Sequence, residues 1–335
     1  MKKKIKMNVL LTGGAGYIGS TVAHFLIDKG YNVTVIDNLV TGHKRLVPKK
    51  AKLINCDISN TKEIKRIIKS KKFQCVMHFA GLVRVDESIK YPKKYMKNNF
   101  EKTKIFFNTC FENNLYNIIF SSTASVYGNT FNKKAYESSN LNPKNPYALS
   151  KLKVEKFIIK KSKYLPVKYI ILRYFNVAGS EKKNRTGLQS KFSTHLIKIA
   201  SEVALEKRKK LIINGDNYNT KDGTPVRDYI HISDLAEIHY IAAKNLMLEQ
   251  KSNIYNCGYG IGYSVKDIVK RLNRILKINL PTKIGPRRKS DIGYVVANSN
   301  KFKKKFSWRP KYNNLDLILS SSLNWEKKIR YFYQS

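Results

Sequence analysis

Short apolar runs alternate with longer amphipathic stretches along the first half of this 335-residue chain. The apolar runs are rich in β-branched residues and predict strands, whereas the amphipathic stretches between them predict helices. Strands are predicted at Met7–Thr12, Asn32–Asp37, Lys52–Cys56, Cys75–Phe79, Asn117–Ser121 and Lys168–Tyr174, and helices at Ser20–Lys29, Thr61–Lys71, Tyr95–Asn114 and Pro146–Lys163. This alternation predicts an α/β fold, a doubly wound parallel sheet with helices on both faces.

After Asn176 the pattern changes, because the loops become longer. Further helices are predicted at Thr194–Leu205, at Ser233–Leu248 and from Ser264 onward, where Asp267 completes a capping pattern. We therefore predict two domains, a Rossmann domain over residues 7–176 and a smaller α/β lobe that makes up most of 177–335.

No apolar run approaches the roughly 20 residues that span a bilayer. The basic start, residues 1–6, leads into a predicted strand rather than a signal peptide, so we expect a cytoplasmic protein without membrane contact. The four cysteines are far apart and the six histidines form no ligand pair, so no metal site is expected.

The net charge of +42 raises the question of a nucleic-acid partner. The lysines are spread over the whole chain beside abundant Asn and Ile, and no nucleic-acid-binding motif is found. This distribution favours a compositional bias that fills solvated helix faces. A basic surface that binds nucleic acid is the less favoured interpretation, although the charge will attract anionic ligands in either case.

A glycine-rich turn, residues 13–19, lies between the first strand and the first helix. Glycines at such a turn let the backbone approach a pyrophosphate, which the helix N-terminus then stabilises. Asp37 ends the second strand, about the expected distance downstream, where a carboxylate bonds a ribose 2′-hydroxyl and repels a 2′-phosphate. The pattern predicts a dinucleotide site and favours NAD over NADP.

Tyr147 and Lys151 are four residues apart on a predicted helix that Asn145 can cap and Pro146 can begin. Their spacing places both on one helix face. The helix dipole and the lysine ammonium both favour the phenolate, so Tyr147 is expected to act as a general base. Thr123 follows a strand at the sheet edge where ligands bind, and its hydroxyl can bond the substrate oxygen.

With these motifs the chain resembles the extended short-chain dehydrogenase/reductases. The stretches that carry the resemblance are Thr12–Gly19 and Pro146–Lys151. Five further stretches resemble the UDP-glucose 4-epimerase branch of this family, namely His78–Leu82, Ser125–Gly128, Arg173–Asn176, Asp222–His231 and Pro286–Arg288. The match runs from about Val9 to Trp325.

The resemblance implies interconversion of UDP-glucose and UDP-galactose by transient NAD-dependent oxidation at C4, with the N-acetylhexosamine pair as a further candidate substrate. Thr123, Tyr147 and Lys151 would be catalytic. NAD would be bound in the first domain, mainly UDP-sugar in the second, and a homodimer would form through a four-helix contact. The implied cofactor-binding residues are Gly13, Gly16, Tyr17, Ile18, Gly19, Asp37, Asn38, Asp57, Ile58, Phe79, Ala80, Gly81, Asn98, Tyr147, Lys151 and Tyr174.

The residues implied in substrate binding are Thr123, Asn176, His195, Leu196, Ile212, Asn214, Arg227, Arg288, Asp291 and Val295. Among these, Arg227 and Arg288 would clamp the diphosphate, a role that suits the forked guanidinium. Asp291 would meet the uridine ribose.

Three positions depart from the family pattern. Val83 stands where well-known bacterial members have lysine, and His195 stands where many have asparagine near the diphosphate. Val295 stands where some members have tyrosine, and we hypothesise that it leaves room for a 2-acetamido group.

Two alternatives stay open. The first is another enzyme of the family that acts on UDP-sugars, such as a UDP-glucuronate epimerase or decarboxylase. A dehydratase is disfavoured because Ala124-Ser125 follows Thr123 where family dehydratases have Asp-Glu. The second alternative is a non-catalytic NAD- or nucleic-acid-binding protein, against which the complete set of Thr123, Tyr147 and Lys151 argues.

Overall fold

A computed structural model describes residues 7–130, 133–190, 193–288 and 291–330. The chain forms two compact units that interleave along the sequence. The first unit contains the chain up to Thr123, with Asn145–Arg173 and Ala236–Tyr255; the second contains Ala124–Lys144, Tyr174–Leu235 and the chain from Asn256 onward. Each unit is thus built from separate segments of the chain, whereas the sequence predicted a single boundary after residue 176. The predicted basic start, residues 1–6, and the end of the predicted second domain, residues 331–335, lie outside the described residues.

The strands are β1 Asn8–Thr12, β2 Asn32–Asp37, β3 Lys52–Asn55, β4 Cys75–His78, β5 Asn117–Thr123, β6 Lys134–Ala135, β7 Lys168–Tyr174, β8 Asn176–Ala178, β9 Leu211–Asn214, β10 Val226–His231, β11 Asn253–Cys257, β12 Gly262–Ser264, β13 Thr282–Gly285 and β14 Tyr294–Ala297. The α-helices are α1 Tyr17–Asp28, α2 Thr61–Ser70, α3 Val85–Lys90, α4 Pro92–Tyr95, α5 Lys102–Glu112, α6 Pro146–Lys161, α7 Leu196–Ala204, α8 Ile232–Glu249, α9 Val265–Leu276, α10 Asn300–Phe306 and α11 Leu315–Arg330. A π-helical turn, Met96–Glu101, joins α4 to α5.

The main sheet has the strand order β3-β2-β1-β4-β5-β7-β11, and β1 pairs in parallel with both β2 and β4. The predicted α/β fold with a parallel sheet is confirmed. The chain runs outward from β1 through β2 to β3 and then returns to β4 on the other side of β1. This reversal makes the carboxyl ends of β1 and β4 the topological switch point, where ligands of such sheets bind.

The core of the first unit packs aliphatic residues of the strands against aromatic residues of α5. His78, at the end of β4, is buried inside this core beside the rings of Phe106, Phe107 and Phe120. Its two ring nitrogens lie 2.8 Å from the hydroxyl of Thr12 and 3.1 Å from that of Thr103. A polar ring is therefore satisfied within an apolar core, as burial requires.

The second unit contains a sheet of order β12-β10-β14-β6, with β8 paired to β10, and a separate parallel pair of β9 and β13. Ser264 and Asp267 form a capping box that begins α9, as the sequence predicted. No helix among residues 7–130, 133–190, 193–288 and 291–330 is long and apolar enough to cross a membrane. Nor do the described His, Cys, Asp and Glu residues include a group that could hold a metal ion.

Candidate active site

The glycine-rich turn follows β1 at the switch point of the main sheet. Gly13 has φ of +70°, and a Cβ added there would lie 2.5 Å from the backbone nitrogen of Ala80. A Cβ on Gly19 would lie 2.3 Å from the carbonyl oxygen of Gly13. Only glycine fits these positions, so the turn forms a close backbone cradle at the N-terminus of α1, where Tyr17 and Ile18 begin the helix.

Asp37 is fixed against this turn by two backbone amides. One carboxylate oxygen accepts a hydrogen bond from Ala15 N at 2.9 Å, and the other accepts one from Leu39 N at 2.9 Å. The side chain is buried at the end of β2, with Asn38 next in the chain. A phosphate cradle beside a fixed carboxylate suits a dinucleotide whose ribose carries free hydroxyls, and the residues present therefore fit NAD.

Asp57 lies two residues after the end of the neighbouring strand, β3, and is followed by the buried Ile58. Its carboxylate accepts hydrogen bonds from the Ser59 hydroxyl and backbone, from Lys102 Nζ at 2.6 Å and from Asn38 at 3.2 Å. Burial by itself would raise the pKa of Asp57, but the hydrogen bonds from Lys102 and Ser59 outweigh burial and lower this pKa to about 2. Asp57 is therefore a carboxylate at neutral pH, held in one orientation.

The segment after β4, Phe79 to Gly81, closes the other side of the glycine turn. The next residue, Leu82, is held by Asn99. The Asn99 side chain accepts a hydrogen bond from Leu82 N at 2.8 Å and donates one to Leu82 O at 2.8 Å. Asn98, which the sequence predicted as a cofactor residue, donates to the Asn99 side chain at 3.0 Å. Sequence reasoning missed Asn99, because its role comes from a contact with a segment 17 residues away.

Tyr147 lies in the first turn of α6, where the structure confirms the predicted cap. The Asn145 side chain accepts from Ala148 N at 2.8 Å, and Pro146 occupies the first position. Thr123, the last residue of β5, hydrogen-bonds to the Tyr147 phenol. The structure therefore brings the hydroxyl groups of Thr123 and Tyr147 together, a contact that the sequence did not predict.

Lys151 is buried one turn further along α6. Its ammonium donates to the carbonyl oxygen of Ser121 at 2.8 Å and lies 4.9 Å from the centre of the Phe120 ring. Burial lowers the pKa of Lys151 to about 8, although the Glu155 carboxylate acts to raise it.

The electrostatics of Tyr147 differ from the sequence expectation. Burial raises the pKa of Tyr147 above its ordinary value, and the hydrogen bond with Thr123 acts in the opposite direction. The expectation rested on the lysine charge and the helix dipole and took no account of desolvation, which disfavours the phenolate. Desolvation therefore favours the neutral phenol of Tyr147.

In the second unit, hydrogen bonds link four of the residues predicted to bind substrate. Arg227 on β10 donates to the Asp291 carboxylate at 2.7 Å. Asp291 N donates to Arg288 O at 3.1 Å. When the Asn214 amide is oriented to satisfy its neighbours, its oxygen accepts from Arg288 Nη2 at 3.0 Å and Nε at 3.3 Å. The structure thus brings together Asn214, Arg227, Arg288 and Asp291.

The remaining predicted residues occupy several elements of the same unit. Val295 is buried on β14 and pairs with Arg227, and Asn176 on β8 hydrogen-bonds to Tyr229 on β10. His195 precedes α7 and hydrogen-bonds to the backbone of Val177; its Nε2 atom is buried and has no partner among the described residues. Burial lowers the pKa of His195 to about 4. Leu196 begins α7, Ile212 is an exposed residue of β9, and Tyr174 is buried at the end of β7.

Comparison with known proteins places this arrangement in a family. Residues 9–258 match the NAD dependent epimerase/dehydratase family, whose description agrees with the cofactor predicted from the glycine turn. The chain is 38% identical to a UDP-glucose 4-epimerase of Azospirillum brasilense, over 96% of this chain and 92% of that protein.

Two solved structures are also similar over almost their whole length. A UDP-glucose 4-epimerase from Bifidobacterium longum in complex with NAD+ and UDP has a TM-score of 0.91 and 33% identity, over 96% of this chain and 98% of that one. The UDP-Glc/GlcNAc 4-epimerase from Campylobacter jejuni has a TM-score of 0.83 and 38% identity, over 96% and 99%. The chain belongs to the NAD dependent epimerase/dehydratase family.

Proposed function

We propose that this chain interconverts UDP-glucose and UDP-galactose by transient NAD-dependent oxidation at C4 of the sugar. The observation that carries the proposal is the group of Thr123, Tyr147 and Lys151 at the end of β5 and the start of α6. Support comes from the near full-length similarity to proteins named UDP-glucose 4-epimerase in Azospirillum brasilense and Bifidobacterium longum.

The proton steps follow from the positions of these three side chains. Thr123 orients the sugar 4-hydroxyl, and Tyr147 accepts its proton as the general base. The Lys151 ammonium stabilises the phenolate and binds the nicotinamide ribose. When bound, NAD supplies a hydride acceptor in the first half-reaction and a donor in the second. After the 4-keto sugar has turned, Tyr147 returns the proton, and the net redox change is zero.

The cofactor would be held by the residues predicted from the sequence. The backbone of Gly13, Gly16 and Gly19, with Tyr17 and Ile18, would bind the pyrophosphate. The adenosine would be held by Asp37, Asn38, Asp57 and Ile58, and the nicotinamide side by Phe79, Ala80, Gly81, Asn98 and Tyr174, together with Tyr147 and Lys151.

The UDP part of the substrate would be held by the hydrogen-bonded residues of the second unit. Arg227 and Arg288 would bind the diphosphate, and since a guanidinium has five N–H groups, Arg227 keeps donors beyond its bond to Asp291. Asp291 would bond the uridine ribose. Leu196, Ile212 and Asn214 would line the uridine pocket, with Asn176 and His195 at the diphosphate. These contacts would supply binding energy while the sugar reorients.

The direct test is to incubate the purified protein with UDP-galactose, without added NAD, and to identify the products by NMR. We expect UDP-glucose to form until both hexoses are present in equilibrium. A protein that leaves UDP-galactose unchanged, with and without added NAD, would contradict the proposal. Conversion of UDP-glucuronate instead would indicate a uronate epimerase or decarboxylase of the same family.

A second substrate pair is favoured by Val295. Its side chain is short and buried on β14 opposite Arg227, where some members of the family have tyrosine. The similar protein from Campylobacter jejuni is named for both UDP-Glc and UDP-GlcNAc. We expect UDP-N-acetylglucosamine to be epimerised and Val295→Tyr to abolish this activity while UDP-glucose is still converted. Absence of turnover of UDP-N-acetylglucosamine by the unaltered protein would refute this extension.

The assembly and cellular location also belong to the proposal. A homodimer through a four-helix contact, implied by the family resemblance, predicts a particle of twice 38.7 kDa, which mass photometry will measure. A cytoplasmic location stays a prediction from the sequence, and fractionation of the producing cells tests it.

A further inference from the structure

The spacing that brings Tyr147 and Lys151 together on α6 continues for one more turn to Glu155. Residues four apart share a helix face, so a phenol, an amine and a carboxylate follow one another along the helix. Glu155 is only 1% exposed. A carboxylate buried so completely requires partners.

Two residues of the main sheet hold the Glu155 carboxylate. Arg173 on β7 binds it in a bidentate manner, with Nη2 to Oε2 at 2.7 Å and Nε to Oε1 at 3.1 Å. The hydroxyl of Ser122 on β5 donates to Oε1. Arg173 is itself only 2% exposed. Apolar residues of similar size would often stabilise a core at least as well as such a buried ion pair, so packing alone gives no reason for the pair.

Strand β5, which carries Ser122, also holds Lys151. The Lys151 ammonium donates to the carbonyl oxygen of Ser121, the neighbour of Ser122. The charge that supports the buried ammonium is Glu155, one turn along α6. Among the other ionisable groups nearby, His78 is buried and remains neutral, because burial and the Lys151 charge both lower its pKa. The Tyr147 phenol carries no charge before it loses its proton, so it does not stabilise the Lys151 ammonium in that state.

We propose that Glu155, fixed by Arg173 and Ser122, is a positioning residue that keeps Lys151 in its ammonium form and thereby sets the upper pH limit of the reaction. The link to the reaction rests on the proposed function, in which the ammonium supports the Tyr147 phenolate. The effect on Lys151 itself does not depend on turnover.

The variant for the test is Glu155→Gln/Arg173→Gln, which removes both charges and leaves two amides that can hydrogen-bond. Glu155→Gln alone would leave a buried arginine without its carboxylate and is prone to unfold. Lys198→Gln/Glu326→Gln is the matched control, because Lys198 and Glu326 form another buried ion pair, in the second unit.

The first measurement is an NMR titration of protein labelled at lysine Cε, in which the Lys151 signal is assigned by its loss in Lys151→Met. We expect a midpoint of about 8 in the unaltered protein. In Glu155→Gln/Arg173→Gln it should fall, by at most about one pH unit, because loss of the Glu155 charge disfavours the ammonium and the simultaneous loss of the Arg173 charge offsets only part of this effect. In the control it should stay in place. An unchanged or higher midpoint in the Glu155 variant overturns the proposal, whatever the activity.

The second measurement is the pH profile of kcat with UDP-galactose. We expect the alkaline limb to move to lower pH in the Glu155 variant by the same amount as the Lys151 midpoint, and to stay in place in the control. A folded variant whose alkaline limb is unmoved overturns the link to the reaction. Inactivity of the unaltered protein would instead refute the proposed function, which the NMR titration does not use.

Discussion

Tyr147 is the residue on which the proposed chemistry depends most directly, because its phenol both accepts and returns the proton. We expect Tyr147→Phe to lower kcat by about 10²- to 10⁴-fold, the range contributed by a positioned acid or base. Binding of NAD and UDP should be retained, because the other residues proposed to bind these two ligands are unchanged. Turnover by NMR and binding by calorimetry measure these effects, with Tyr164→Phe as the control because Tyr164 is 76% exposed in the same unit. Near-normal turnover of Tyr147→Phe would refute the assignment.

At the residue scale, the sequence predicted groups that lie close together along the chain. The four-residue spacing of Tyr147 and Lys151 and the Asn145 cap are local features, and the structure shows them as predicted. Glu155 was within reach of the same argument, since it continues that spacing. Arg173 was not, because its contact with Glu155 depends on how β7 packs against α6, which no local pattern reports.

At the scale of elements, the tight turn between β1 and α1 permits a prediction about NAD. A methyl group on Gly19 would lie 2.3 Å from Gly13 O and 2.8 Å from Gly14 Cα, both of them backbone atoms that cannot rotate away. We expect Gly19→Ala to distort the turn and to weaken NAD binding at least 100-fold, which is a loss of about 2.7 kcal/mol in binding free energy. This loss is expected even though alanine has a higher helix propensity than glycine.

Calorimetric titration with NAD measures the effect of Gly19→Ala. Gly30→Ala is the control, because Gly30 has φ of +85° and so is strained by substitution, while its Cβ would meet no atom within 4 Å. This control should lose stability and keep its affinity for NAD. Equal affinity in Gly19→Ala and the unaltered protein would show that the turn does not bind the cofactor as proposed.

The elements of the first unit were more predictable than those of the second. The central strands of the main sheet, such as β1, β4 and β5, are buried on both faces and give continuous apolar runs. The second unit is built largely from strands of two to six residues, such as β6 and β8, which are too short for a periodic pattern. The predicted helix Tyr95–Asn114 is interrupted by the π-helical turn Met96–Glu101. Within this turn, the side chain of Asn99 accepts a hydrogen bond from the backbone of Leu82.

At the scale of the whole molecule, three histidines whose rings are desolvated by the fold make stability dependent on pH. Burial lowers the pKa of His195 and His231 to about 4 and that of His78 well below its usual value. Because these pKa values are lower in the folded than in the unfolded chain, the stability they contribute is present above about pH 6.5 and is lost as the pH falls toward 4, by up to about 1.4 kcal/mol per pH unit for each group. Asp228 acts in the opposite direction, since burial raises its pKa to about 6.

Three such histidines outweigh one aspartate, so the free energy of unfolding should fall between pH 6.5 and pH 4. Urea denaturation at several pH values measures this slope. His195→Asn should reduce it, whereas the control Tyr164→Phe, at a position of the first unit that is 76% exposed, should leave it unchanged. Equal slopes for His195→Asn and the unaltered protein would contradict the neutral, desolvated state of the His195 ring.

The net charge of +42 is also a property of the whole molecule, and it bears on how an anionic substrate reaches the site. A strongly positive protein attracts a UDP-sugar over long distances, and salt screens this attraction because the Debye length is about 10 Å at 0.1 M. We expect kcat/KM for UDP-galactose to fall several-fold between about 20 mM and 300 mM NaCl. The value of kcat should change little, because the charge of the buried Lys151 is screened much less. Stopped assays across this salt range measure both constants, and a kcat/KM that is independent of salt would show that the charge plays no part in substrate capture.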